Sequence, residues 1–418
     1  MKRFVVVVLD GYGIGAMADV PRLRPRDTGA STCRHIFEAV PDLRLPVLEK
    51  LGLGNALLAA EQEDALDRPL PRGLALSPAA CFGFHRLAHF GADTFWGHQE
   101  LMGTRPRQPE PAPFSENLPA VRAALEQKGH RVRFYAGPNP GPSDPGVLVV
   151  DEALTIGDNL ETDLGNNYNV TAVLDLLPFD KVRVIGTIVR SLVRSSRVIV
   201  FGGKNRGLGD LLNAFESREG CAGINAPASG VYREGYQVVH LGFGVDPASQ
   251  VPHRLQEAGV QCAFIGKAAD IIENPGGILI PGIDTEEVLH RTAEVLKSMD
   301  RGFICVNVQE TDLAGHREDP ELYAHRLILA DRGIADLTGL LGPGDLMVIT
   351  GDHGNDPLIG HSQHTREKTP VLVYGAQANP AFIGGRSSLA DTGATAADFF
   401  DAAPPQFGLS YLNRIVSM

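Results

Sequence analysis

"LMVITGDHGNDPLIGHSQHTRE", residues Leu346–Glu367, opens as an apolar run and then breaks into three histidines, two aspartates and four glycine or proline residues. An apolar run with no polar alternation is the pattern of a strand buried on both faces, as in a parallel sheet. In open parallel sheets, ligands bind outside the carboxyl ends of the strands. A loop rich in metal-capable groups directly after such a strand therefore raises the question of what the other strands end in.

Phe4–Leu9 ends in Asp10, and Phe303–Val308 is followed by "QETDLAGH", with Asp312 and His316 four residues apart. Ala263–Ile265 is a further run of the same kind. Helical patterns lie between them. "DTEEVLHRTAEVLKSM" offers Thr285 as N-cap, with Val288, Thr292, Val295 and Met299 along one face. "DPELYAHRLILADRGIADLTGLLG" offers Asp319 as N-cap, Pro320 at the first helical position and Gly342 as a stop. This alternation predicts an α/β fold with a doubly wound, mostly parallel sheet. The proline-rich "TRPRQPEPAPF" (Thr104–Phe114) reads as a linker. It leads into helix-like "NLPAVRAALEQKG", strand-like "VLVVD", helix-like "FDKVRVIGTIVRSLVR" and strand-like "RVIVFGG". We expect a core formed by residues 1–104 and 236–418, with a small α/β cap inserted at 105–235.

The chain of 418 residues can bury a large core unaided, and its 43% hydrophobic and 21% charged residues are those of an ordinary globular enzyme. A net charge of −12 argues against a general nucleic-acid binder, which needs a basic face. It does not argue against an anionic substrate, because a bound dication inverts the local sign. The five cysteines are scattered, without a CxxC, and read as buried thiols of a reducing compartment. The opening "MKRFVVVVLD" reads as a first strand rather than a signal peptide, and no stretch is long enough to span a membrane. A cytoplasmic enzyme is expected.

If the three strands are neighbours, Asp10, Asp312, His316, Asp352 and His353 converge, with His361 and His364 close by in sequence. Carboxylates mixed with imidazoles suit Mn²⁺, Zn²⁺ or Mg²⁺, in numbers sufficient for two ions. Two metals about 3.5–4 Å apart suit in-line transfer at phosphorus. Singly, each residue has a plainer reading. An Asp after a strand is ordinarily a turn or a cap, and a His in a glycine-rich loop is ordinarily a surface group. Three strand ends bearing Asp or His together favour the metal site. In "GADTFWGHQELMGT" (Gly91–Thr104), Asp93 or Thr94 could cap a short helix. Equally, a Thr94 hydroxyl at that helix start, beside a metal, could be a nucleophile. The residues alone leave both open.

These segments resemble the alkaline phosphatase superfamily and, within it, the phosphopentomutases. "VVVLDGYGIGAMADV" resembles that family's first strand and metal-binding Asp, and "GADTFWGHQELMG" its Asp-Thr-x-x-Gly-His-x-Glu segment. "FIGKAADI" resembles its Gly-Lys-x-x-Asp-Ile segment, and "DHGNDP…HTRE" its last metal-binding loop. The resemblance implies a core of alkaline phosphatase type. It implies one divalent ion among Asp10, Thr94, Asp352 and His353 and a second among Asp312, His316 and His364. Mn²⁺ would be the first choice, with Zn²⁺ or Mg²⁺ as alternatives. It implies a phosphorylated Thr94, interconversion of ribose 1-phosphate and ribose 5-phosphate, a sugar bisphosphate activator, and a cap that excludes water from phospho-Thr94. Asp151 resembles a ribose-binding Asp and Arg197 a substrate-binding Arg.

Several features depart from the family pattern. "DLAGH" is one residue shorter than usual and looks like the spacing of cofactor-independent phosphoglycerate mutases. Thr311 stands where an Asp is expected, His361 is extra, and Gln363 replaces the usual Asp before His364. The family's arginine-rich cap loop is not recognisable in "GINAPASGVYREGY", where Arg233 is the only Arg. The chain thus reads as a divergent branch acting on a small phosphorylated substrate. A phosphatase or phosphodiesterase on the same metals, or a non-catalytic metal-binding relative, are the alternatives.

Overall fold

The structure, a computed structural model, describes residues 1–161 and 164–416. Strands β1 (Lys2–Leu9) and β2 (Cys81–His85) come first. They are followed by β3 (Val132–Tyr135), β4 (Val147–Val150), β5 (Leu154–Asp158), β6 (Asn167–Val173), β7 (Arg197–Gly203), β8 (Phe215–Arg218), β9 (Cys221–Ile224) and β10 (Gln237–Gly242). The last six are β11 (Gln261–Ile265), β12 (Ile278–Ile280), β13 (Arg301–Val308), β14 (Leu346–Thr350), β15 (Thr369–Tyr374) and β16 (Ala381–Arg386). The chain divides into two compact units, residues 1–106 with 246–418, and residues 107–245.

The first unit is built on an eight-stranded sheet in the order β12-β11-β13-β1-β14-β15-β2-β16. All pairs from β12 to β14 are parallel, as is β16 with β2, whereas β15 runs antiparallel to both its neighbours. The mostly parallel α/β sheet expected from the apolar runs is therefore observed. Its alternating side chains feed two separate cores. Val5, Val7, Leu9, Ile304, Val306, Met347 and Ile349 pack on one face against the helices Thr285–Ser298 and Pro320–Leu340, among others. Phe4, Val6, Val8, Phe303, Cys305, Leu346 and Val348 pack on the other with the helix Ala390–Phe399. Strands apolar on both faces demand cover on both, and the fold is doubly wound for that reason. All five cysteines are buried and free.

Local signals locate the helices to within a residue. Asp319 caps Pro320–Leu340, accepting from Leu322 N at 2.9 Å. The cap of Thr285–Ser298 is Asp284, which accepts from Glu287 N at 2.9 Å, not Thr285. A carboxylate one residue earlier reaches the amide, and Thr285 becomes the first helical residue.

The second unit has the sheet order β10-β7-β6-β5-β4-β3, with β6 and β7 parallel and the remaining pairs antiparallel. The helices Phe114–Gln127 and Phe179–Leu192 cover it through Phe114, Val121, Leu125, Val182, Ile185 and Val189. Strand β10 extends this sheet past residue 235, where the sequence reading ended the insertion. No helix among the described residues is long and apolar enough to cross a membrane.

Candidate metal centre

Strands β13, β1 and β14 are consecutive and parallel, so their carboxyl ends lie side by side. Asp10 follows β1, and its amide donates to Val308 O at the end of β13 at 3.2 Å. Asp312 and His316 sit on the helix Glu310–His316, where a spacing of four puts both on one face. Asp352 and His353 follow β14. The loop after them folds back through the bridge Gly354–Thr365 and returns His364 to the same edge. Thr94 is the first residue of the helix Thr94–Leu101, whose cap is Asp93, accepting from Trp96 N at 3.1 Å. The cap and nucleophile readings therefore fall on adjacent residues and do not compete.

Two ligand clusters result, Asp10–Asp352–His353 and Asp312–His316–His364, with the donor atoms of each within 4.8 Å of one another. Thr94 Oγ1 lies 2.7 Å from His353 Nε2 and 3.3 Å from Asp10 Oδ1. His316 Nε2 and His364 Nε2 each stand 3.3 Å from an Asp312 oxygen. The His353 and His364 rings stack at 4.0 Å, joining the clusters.

The donor set fits divalent cations on three observations. His353, His316 and His364 turn Nδ1 toward the carbonyls of Gly354, Ser362 and Ala92 at 2.9, 2.7 and 3.2 Å. Carbonyls only accept, so each Nδ1 carries the proton and each Nε2 is left as a ligand. His316 Nε2 and His364 Nε2 face one another at 3.0 Å, an approach of two lone pairs that either a proton on one ring or a metal cation beside both relieves. Asp10 Oδ2 and Asp352 Oδ2 are buried without a hydrogen-bond partner, which is costly unless a cation satisfies them.

The electrostatics of the clusters agree. Burial, then the charges of Asp352 and Asp312, push the Asp10 carboxyl up. For His353, burial is outweighed by Asp352, Asp10 and Asp312, and its pKa is pushed up to about 10. For Asp312, burial is outweighed by His316 and His364, which hold it well below the usual carboxylate range. The cluster calls for positive charge.

Part of that charge is Lys267, in "FIGKAADI". It follows β11, and its ammonium, though burial opposes it, is held charged by Asp10, Asp312, Asp352 and Asp93. Two further residues hold the ligands. Asn355 Nδ2 donates to Asp312 Oδ1 at 2.8 Å and Gly11 N donates to Asp352 Oδ1 at 3.2 Å. His98 Nδ1 donates to Thr94 O at 3.0 Å and stands 3.3 Å from Asp352 Oδ2. The signal for Lys267 was its place directly after a buried strand. His98 is marked in sequence by the "GADTFWGHQELMG" segment, and its place beside Asp352 is set by the packing of its helix on the β14 loop.

The other singled-out residues lie as follows. Thr311 is no ligand; its hydroxyl lies 2.7 Å from the carbonyl of Asp10 and steadies that backbone. His361 belongs to neither cluster and faces Asp27 Oδ1 at 3.2 Å. Asp356 shapes the loop, accepting from Ser31 N at 2.9 Å and Leu358 N at 3.0 Å. Asp151 and Arg197 both belong to the second unit. Asp151 turns between β4 and β5, 2.7 Å from His130 Nδ1, and Arg197 opens β7.

Residues 2–404 match the family model of the metalloenzyme superfamily. The chain is 30% identical to a phosphopentomutase of Symbiobacterium thermophilum over 99% of each protein. It is 30% identical to one of Anaeromyxobacter sp. (strain K), again over 99% of each. A phosphopentomutase of Actinobacillus succinogenes is 30% identical over 99% of this chain and 100% of its own. With two candidate ligand clusters at the carboxyl edge of the sheet, the chain belongs to the metalloenzyme superfamily of alkaline phosphatase type and, within it, to the phosphopentomutase family.

Proposed function

We propose that this metal-dependent phosphomutase interconverts ribose 1-phosphate and ribose 5-phosphate through a phosphothreonine at Thr94. The observation that carries the reading is the position of Thr94 Oγ1. It is buried at a helix start, between Asp10 and His353, beside a second Asp–His–His cluster. Asp10, Asp352, His353 and Thr94 would hold one divalent ion and Asp312, His316 and His364 the other, with Mn²⁺ as the expected metal. Such ions supply Lewis acidity to the phosphoryl oxygens and stabilise both attacking and departing oxygens.

The chain's own residues perform the rest. Phospho-Thr94 gives its phosphoryl group to a hydroxyl of the sugar phosphate; the P–O bond to Thr94 breaks as the P–O bond to the sugar forms. The hydroxyl proton passes to the departing Thr94 oxygen, which becomes a hydroxyl again, and the bisphosphate so formed turns about. Thr94 then takes back the other phosphate. Lys267 supports charge accumulating at the transferred group, and the N-terminus of the helix Thr94–Leu101 presents its positive end to phospho-Thr94. Asp151 and Arg197 are the proposed sugar-phosphate contacts of the second unit, and a sugar bisphosphate serves as activator by phosphorylating Thr94.

The test is ³¹P NMR of Mn²⁺-loaded protein with ribose 5-phosphate, with and without ribose 1,5-bisphosphate. A new ester at constant total ester is expected, and Thr94→Ala should abolish it with folding and metal binding retained. Growth of inorganic phosphate alone would mean a hydrolase. Unchanged turnover in Thr94→Ala would refute the covalent route.

A further inference from the structure

Arg366 lies two residues beyond the ligand His364, on the loop that follows β14, and is 3% exposed. A guanidinium carries five N–H donors in a fixed fork. Here all five are used. Nε and Nη2 donate to the two oxygens of Asp19, each at 2.9 Å. The second Nη2 hydrogen goes to Leu87 O at 3.1 Å, and Nη1 reaches His89 O at 2.6 Å and Gly91 O at 2.7 Å. The backbone is held as well: Arg366 N donates to Asp27 Oδ2 at 2.9 Å, and Met17 N donates to Arg366 O at 3.0 Å.

The three carbonyls belong to the irregular segment between β2 and Thr94. Its amides are gripped from the other side by Glu100, on the Thr94 helix itself, which accepts from Ala88 N at 3.0 Å and His89 N at 2.8 Å. We infer that Arg366 is the positioning residue for the nucleophile: it joins the metal-ligand loop to the segment that delivers Thr94, and so sets Thr94 Oγ1 against Asp10 and His353. It touches no reacting atom. A lysine cannot replace it, because three donors on a flexible stem cannot meet five acceptors in one plane. An error of about 1 Å in such a placement costs on the order of 10²-fold in rate. The inference rests on the proposed phospho-Thr94 reading.

The experiment compares wild type, Arg366→Lys and Arg366→Ala, each loaded with Mn²⁺. It reads phosphorylation of Thr94 by ribose 1,5-bisphosphate, kcat and KM for ribose 5-phosphate, and bound Mn²⁺. For Arg366→Lys we expect kcat and the phosphorylation rate to fall roughly 10- to 100-fold, with KM and bound Mn²⁺ nearly unchanged. For Arg366→Ala we expect a saturable rise in rate on adding guanidinium ion at millimolar concentration, and none with urea. A purely structural Arg366 would lower the melting temperature but leave kcat per folded, metal-loaded chain intact. Arg366→Lys turning over within about twofold of wild type would overturn the inference while the phospho-Thr94 reading stood, even if the alanine variant failed to fold. Wild type that takes up no phosphoryl group would overturn the reading and, with it, this inference.

Discussion

His85 shows how one side chain ties stability to pH. It closes β2, is fully buried, and its ring nitrogens lie 3.2 Å from Thr350 Oγ1 and 3.1 Å from Thr392 Oγ1. Burial pushes its pKa down to about 3. The ring is therefore neutral in the folded protein, while the unfolded chain takes up a proton near pH ~6.5. Its contribution to stability is complete above that pH and is lost as pH falls toward 3. His85→Asn, which keeps a polar group between the two threonines, should flatten the decline in melting temperature between roughly pH 6 and 4. An unaltered slope would show that other groups carry the acid sensitivity there. In the Arg3–Asp345 pair Asp345, though burial opposes it, is held low by Arg3, and it loses its contribution mainly below pH ~4.

Elements meet at the centre through close approach and through helix ends. Gly97, on the helix of Thr94, packs on the β14 loop so tightly that a Cβ would stand 2.6 Å from Asp352 O and 2.8 Å from Asp352 Cβ. Gly97→Ala should displace Asp352 and weaken Mn²⁺ binding, roughly 10- to 100-fold on the scale of lost ligand support. A titration of Mn²⁺ against each protein would measure it, and equal affinities would mean that the helix, not the ligand, gives way. The helix Thr32–Ala39 makes the opposite use of its end. Its first amides are taken by the chain's own carboxylates, Ser31 N by Asp356 at 2.9 Å and Thr32 N by Glu367 at 2.9 Å. Burial and Asp356 push Glu367 up to about 7, and hydrogen bonds from Thr32 and Thr365 work against the rise. These helix ends pin both ends of the ligand loop.

For the molecule as a whole, every proposed metal ligand comes from the unit of residues 1–106 and 246–418. Ligand binding stabilises only what it binds, by about 2.7 kcal/mol at a concentration of one hundred times Kd. Adding Mn²⁺ to chelator-treated protein should therefore slow hydrogen exchange at the ends of β1, β13 and β14. Within residues 107–245, exchange should stay as it was. Protection gained equally in both units would show that metal binding couples them.

How much of this was legible in the sequence can be judged from particular residues. Phe4–Leu9, Phe303–Val308 and Leu346–Thr350 declared themselves by being apolar on both faces, a demand that only a covered parallel sheet satisfies. Asp10, Asp312, Asp352 and His353 were legible as candidate ligands because each follows such a strand, His316 because it lies four residues from Asp312, and His364 because it shares the loop after β14. Asp284 in place of Thr285 as a cap, and β10 beyond residue 235, escaped because boundaries depend on single hydrogen bonds and strand pairings. The antiparallel pairing of β15 carries no local mark of its direction. The roles of Asn355 and Arg366 were out of reach for another reason. Their partners lie 43 residues away for Asn355 and 275 or more for the carbonyls that Arg366 binds. Sequence by itself determined the strands, the donor types and their common edge, since periodicity and burial act over a few residues. Only the tertiary structure decided which donors stand together and where Thr94 lies among them, because those distances are set by strand order and loop packing.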